Sequence, residues 1–232
     1  MGKIFLIRHG QASFGSADYD RLSSTGEEQA RLLGLHLQAR HIVPTHVVSG
    51  TLLRHRQTAA ACLGVLAGGD LRHEPQLDEG WNEFDGEELL VKHEPRYADK
   101  AEIARDLARA ASVGTALREV FGLAVGRWVS GQHDAEYAEP WPAFGARCQA
   151  AFARAVAATP KDGTTLVFSS GGVIGTLAGT LLGLPAERSF LLQWHIVNAS
   201  LTRVHVGRSG PALSTLNEHQ HLEHEARLVT AR

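Results

Sequence analysis

Arg8, His9 and Gly10 follow the run Lys3-Ile4-Phe5-Leu6-Ile7 and bring an arginine, a histidine and a glycine to one point of the chain. A neutral imidazole attacks electrophiles, a guanidinium fork grips phosphate oxygens, and a glycine lets a backbone approach closely. A second arginine, Arg54, stands near a helix start in Ser49-Gly50-Thr51-Leu52-Leu53-Arg54-His55-Arg56-Gln57-Thr58-Ala59. Beside the unpaired N–H groups of that helix end it favours a bound dianion. Asp78, Glu79, Glu83, Asp85, Glu87 and Glu88 crowd a third segment around Trp81. A carboxylic acid there, its pKa raised by a closed pocket and an anionic ligand, can protonate a departing oxygen. Gln11 and Ser13 are polar candidates for donating to a phosphate oxygen. Taken singly, each group also fits a structural role: a packed strand-end histidine, a solvated arginine, an acidic surface loop.

The elements that must position these groups are written in the apolar pattern. The first run reads as a buried strand, and polar groups at such a strand end emerge where open α/β sheets place their ligands. Leu22-Ser23-Ser24-Thr25-Gly26-Glu27-Glu28-Gln29-Ala30 is a helix entry, continued at helical spacing by Leu33 and Leu37. His46-Val47-Val48-Ser49-Gly50 is a second strand, with a helix over about 53–66. Leu166-Val167-Phe168-Ser169-Ser170-Gly171-Gly172 is a third, and residues 173–182 read as a buried helix. Two late strands, 201–206 and 212–216, flank a turn at 208–211 and suit a hairpin at a sheet edge. Alanine, arginine and glutamate dominate about 87–139, where Ile103, Leu107, Ala110 and Ala111 mark helical periodicity. The expected architecture is one domain over 1–232: a three-layer α/β/α sandwich, a mostly parallel central sheet and a helical cap inserted at about 87–139.

Composition sets limits. The 232 residues carry a formal net charge of -2 with 44% hydrophobic residues, enough for a proper core and too little positive field to hold nucleic acid or an anionic membrane. Cys62 and Cys148 lie far apart in no metal-ligand spacing and read as reduced packing residues, which fits a cytoplasmic setting. No run reaches membrane-spanning length, no signal-peptide pattern opens the chain, and Leu6 stands against a myristoylation motif. His219, His221 and His224 match no standard zinc motif and read as a solvated tail. No catalytic metal and no cofactor are expected, and oligomeric state is undetermined.

Taken in order, the motifs resemble the histidine phosphatase superfamily, the phosphoglycerate-mutase-like group. Arg8-His9-Gly10 matches its signature, Leu22, Gly26, Gln29 and Ala30 its first helix, and Arg54, Gln57, Thr58 and Ala59 its second-arginine motif. Leu77-Asp78-Glu79 matches the acid motif, Gly171-Gly172-Val173-Ile174 the element after the third strand, and Asn198-Ala199-Ser200-Leu201-Thr202 the late strand. The resemblance implies a small phosphorylated substrate and a transient phosphohistidine on His9, its other ring nitrogen fixed by a nearby backbone carbonyl. Arg8 and Arg54 would hold the phosphoryl oxygens while a carboxylic acid protonates the leaving oxygen. The family register selects Glu79, with Glu83 as second choice.

The chain departs from the family pattern at two places. Ser170 stands where the family carries a second histidine, so a potentially cationic phosphate ligand becomes a neutral hydroxyl beside Gly171. Ala12 and Gly15 replace the usual polar residues of the opening loop, leaving Gln11 and Ser13. His195 lies shortly before the late strand; it reads as a partly buried structural histidine, with supply of the missing imidazole as the alternative. The expected activity is hydrolysis of a phosphomonoester. The alternatives are a catalytically weakened phosphate-ligand binding or regulatory protein and a mutase-type phosphotransferase.

Overall fold

The computed structural model describes residues 1–13, 20–66, 74–110 and 112–231. Gly15 of the opening loop and Ala111 of the insertion stripe lie outside them. The described strands are β1 (Gly2–Arg8), β2 (His46–Ser49), β3 (Gln76–Leu77), β4 (Thr164–Ser169), β5 (Leu201–Gly207) and β6 (Gly210–Glu218). The α-helices are α1 (Ser24–Ala39), α2 (Leu53–Leu66), α3 (Gly86–His93), α4 (Lys100–Arg109), α5 (Val113–Val129), α6 (Trp141–Ala158), α7 (Gly171–Leu181) and α8 (Ala186–Leu191). By contacts the chain divides into two compact units, Met1–Glu83 with Cys148–Arg232, and Phe84–Arg147.

The larger unit is an α/β fold on one sheet with strand order β3-β2-β4-β1-β5-β6. β1 pairs with β4, and β2 with both β3 and β4, all in parallel; β5 and β6 add an antiparallel edge hairpin. β4 is buried along its whole length and β1 at all but Lys3, which is why both read as continuous apolar runs. Phe5, Ile7, Val47, Leu166 and Phe168 meet Leu33 and Leu37 of α1 and Ala59, Cys62 and Leu63 of α2 in one core cluster. Side chains alternate across a strand, so Ile4, Leu6 and Val167 face the other way, and they are buried as well. Ser23 caps α1 by accepting from the Gly26 N–H, and α7 is buried from Gly171 to Gly179. Cys62 and Cys148 are unbridged and buried, and burial pushes the Cys62 thiol up to about 12.

The smaller unit is helical. Its centre is a ring cluster in which Trp128 lies 5.1 Å from Trp141 and 5.2 Å from Phe84, with the Trp128 indole N–H donating to the Glu139 carbonyl. α3, α4 and α5 begin on side-chain caps from Asp85, Asp99 and Ser112, and α4 buries no residue. No described helix is long and apolar enough to cross a membrane.

His224 is exposed as expected of a solvated tail, but His219 and His221 are partly buried. Leu222 and Leu228 are buried, and the Gln29 side chain donates to the Leu228 carbonyl at 2.7 Å. His221 stacks on His36 at 5.0 Å, and burial brings its pKa down to about 4. The two leucines supply the apolar area that docks the segment.

Candidate active site

Parallel pairing brings the ends of β1 and β4 together. Arg8 lies opposite Ser169, and the His9 N–H donates to the Ser169 carbonyl at 2.9 Å. The loop before β5 closes the other side: the Ala199 N–H donates to the Arg8 and His9 carbonyls at 3.0 and 3.2 Å, and Asn198 Nδ2 to the His9 carbonyl at 3.1 Å. The Gly10 N–H donates to Thr58 Oγ1 at 3.0 Å, tying β1 to α2. A Cβ on Gly10 would lie 2.4 Å from the Gly26 carbonyl oxygen, and one on Gly26 2.2 Å from that of Gln11. Glycine at both positions is therefore the condition for α1 to approach the strand end.

His9 is buried, and its Nδ1 lies 2.7 Å from the Gly10 carbonyl oxygen. A carbonyl only accepts, so Nδ1 carries the hydrogen and Nε2 the lone pair. Burial first, then the charges of Arg54 and Arg8 and the His55 ring, push the His9 pKa well below its ordinary value against the Gly10 bond. The ring is neutral at neutral pH. Arg8 is buried, donates from Nη1 to the Ile196 carbonyl and lies over the start of α7, where a Cβ on Gly171 would be 3.4 Å from its Nε.

Arg54 reaches Asp20 with Nη1 at 2.7 Å, while the other oxygen of Asp20 accepts the Leu53 N–H at 2.7 Å. One carboxylate thus caps α2 and anchors the arginine on its first turn. Asp20 carries no motif in sequence; its only signal there is an acidic residue in the loop ahead of α1.

The carboxylates separate. Glu79 is exposed at the head of a 3₁₀ turn, Glu79–Trp81, while neighbouring Asp78 pairs with Arg154 at 2.7 Å. Glu83 is half-buried, and its Oε2 accepts the Gly172 N–H at 3.0 Å at the N-terminus of α7. Ser170 is buried, does not cap α7 with its side chain, and has Oγ 2.6 Å from His55 Nε2. Ser13 Oγ donates to the Leu22 carbonyl at 3.1 Å, and Gln11 Oε1 accepts from Ser23 Oγ at 3.0 Å, so both side chains hold the entry to α1. His195 is exposed, which corrects the partly buried position expected for it. The imidazole beside Ser170 is His55, visible in sequence only as a histidine between two arginines.

A neutral histidine, two arginines and a helix N-terminus at the carboxyl ends of parallel strands form a site able to hold a phosphoryl group and attack it. The chain belongs to the histidine phosphatase superfamily (branch 1), whose model matches residues 4–219. It is similar to "Probable phosphoglycerate mutase GpmB" of Photorhabdus laumondii, 28% identical over 213 residues, 88% of this chain and 85% of that protein. The Yersinia enterocolitica protein of the same name is 30% identical over 218 residues, with the same 88% and 85% coverage. Among solved structures, a mycobacterial glucosyl-3-phosphoglycerate phosphatase shares the fold at TM-score 0.60 and 22% identity, covering 94% of this chain and 99% of that one. A Bacillus anthracis phosphoglycerate mutase does so at TM-score 0.62 and 19% identity, covering 95% and 94%.

Proposed function

We propose that this chain hydrolyses a small phosphomonoester through a phosphohistidine on His9. The observation that carries the reading is the bond from His9 Nδ1 to the Gly10 carbonyl in a neutral ring, which leaves Nε2 as the nucleophile. Nε2 forms the N–P bond as the ester P–O bond breaks, and a carboxylic acid gives its proton to the leaving oxygen. Water then attacks phosphorus, the carboxylate takes its proton, and the N–P bond breaks to release phosphate and neutral His9. Arg8 and Arg54 stabilise the equatorial oxygens, with Ser170 and the N-terminus of α7 at Gly171 as further donors.

The position of the half-buried Glu83 carboxyl at the N-terminus of α7 and the exposure of Glu79 support Glu83 as the acid, against the family register, and the Gly172 N–H favours the carboxylate form that takes the proton from water in the second step. A bound dianion beside it favours its protonated form. Ser170 in place of the family's second histidine is part of this reading. Buried, unbridged Cys62 and Cys148 support a cytoplasmic setting.

The test is steady-state release of phosphate from a panel of phosphomonoesters by wild type and His9→Ala. Turnover lost in the variant is expected; equal turnover in both refutes the nucleophile. The names of the two relatives favour a second reading, a phosphoglycerate mutase. Phosphorus NMR of 3-phosphoglycerate separates the two: free phosphate marks the hydrolase, and the 2-phospho isomer marks the mutase.

A further inference from the structure

Two buried imidazoles stand side by side at this site, and the reaction above uses one of them. The His55 ring centroid lies 5.6 Å from that of His9, and its Nε2 is 2.6 Å from Ser170 Oγ. Its Nδ1 is buried with no hydrogen-bond partner among the described residues. Gly50 makes the room, since a Cβ there would lie 2.2 Å from that nitrogen.

Burial, then the charge of Arg54, push the His55 pKa well below its ordinary value, so the ring carries a single hydrogen. A buried N–H without an acceptor is rarer than a buried lone pair without a donor. The hydrogen therefore sits on Nε2 and is donated to Ser170 Oγ. With that lone pair occupied, the Ser170 hydroxyl hydrogen must point elsewhere. Ser170 Oγ accepts no N–H of α7 as a cap, and Ser170 follows the β4 end that is paired with the Arg8 end of β1.

We propose that His55 is a positioning residue: by donating from Nε2 to Ser170 Oγ it aims the serine hydroxyl at a phosphoryl oxygen bound between His9 and Arg8. The inference rests on the phosphoryl-transfer reading and deepens it. No proton changes hands; His55 keeps its Nε2 hydrogen and Ser170 keeps its own. A pre-aimed donor strengthens as charge grows on the equatorial oxygen, and a chain of hydrogen bonds polarises each member.

The test uses the full chain with p-nitrophenyl phosphate for turnover and orthovanadate for binding. Ser170→Ala and His55→Leu are each expected to lower kcat by about 10- to 100-fold and to weaken vanadate binding, with a smaller effect on KM. The double variant should lose no more than the worse single, and His55→Gln, whose amide N–H can replace Nε2, should recover most of the loss. Losses that multiply in the double variant, or a His55→Leu protein with wild-type kcat and vanadate affinity, overturn the proposal. Wild-type protein that binds vanadate without hydrolysing any ester fails the phosphatase reading alone, because the vanadate affinities still decide the role of His55. Nitrogen-15 NMR of the wild-type ring guards against misfolded variants: an Nε2–H tautomer is required, and an Nδ1–H tautomer overturns the proposal.

Discussion

The end of β1 and the start of α2 each bury a neutral histidine, and they anchor opposite ring nitrogens. His9 is held through Nδ1 on the Gly10 carbonyl, whereas His55 is held through Nε2 on Ser170 Oγ. Both lose their charge chiefly to burial, with Arg54 adding to it in each. Burial and charge therefore do not separate their roles. In the proposed reaction the anchored nitrogen does: fixing Nδ1 leaves Nε2 of His9 to react, and fixing Nε2 makes His55 a support.

Substitutions can break this contrast, beginning with the largest effect. His9→Ala should lower kcat on the order of 10⁴-fold or more, as loss of a nucleophile does, against the far smaller loss at His55. Arg54→Ala should cost about 10²- to 10³-fold in kcat, read by the same assay, because it removes a fixed cation from the developing charge. Arg54→Lys should recover little, since an ammonium cannot reproduce the fork held by Asp20. Glu83→Gln should lower turnover of an alkyl phosphate by about 10²-fold and spare p-nitrophenyl phosphate, whose leaving group needs little protonation. Glu79→Gln should change neither rate by more than about threefold. A reversal of that pair would return the acid role to Glu79.

The smallest effect lies in stability against pH. His9 and His55 stay neutral when folded below the pH at which the unfolded chain takes up protons. Stability is thus full above about pH 6.5 and falls as pH drops, by up to about 1.4 kcal/mol per pH unit for each histidine. His221, brought down to about 4, adds to the fall between those values. Urea unfolding at pH 8 and pH 5.5 should show the loss, and His55→Leu should make the slope shallower. A flat profile in wild type would show that these rings are protonated in the fold.

The parts legible in sequence share one physical origin. β1, β2 and β4 are buried in a parallel sheet, so their apolar runs end where the sheet ends, and Arg8, His9 and Ser170 fall at those ends. The edge hairpin was legible from its turn. β3 escapes because two residues carry no periodicity, and α8 because six residues make fewer than two turns. The site's supports are hidden for another reason. His55 and Ser170 are 115 positions apart, Glu83 and Gly172 are 89 apart, and no local pattern records such pairs. The imidazole beside Ser170 is likewise unmarked: His195, weighed in sequence as an alternative source of one, is exposed, and His55 is the ring that lies against the serine hydroxyl.

The central claim is that His9 reacts through Nε2, and the isomer of the trapped intermediate tests it most directly. Wild-type protein quenched in base during turnover of a phosphomonoester, then examined by phosphorus NMR and peptide mapping, should carry phosphate on Nε2 of His9. Phosphate on Nδ1, on another residue, or no adduct from an actively turning-over enzyme would contradict the account.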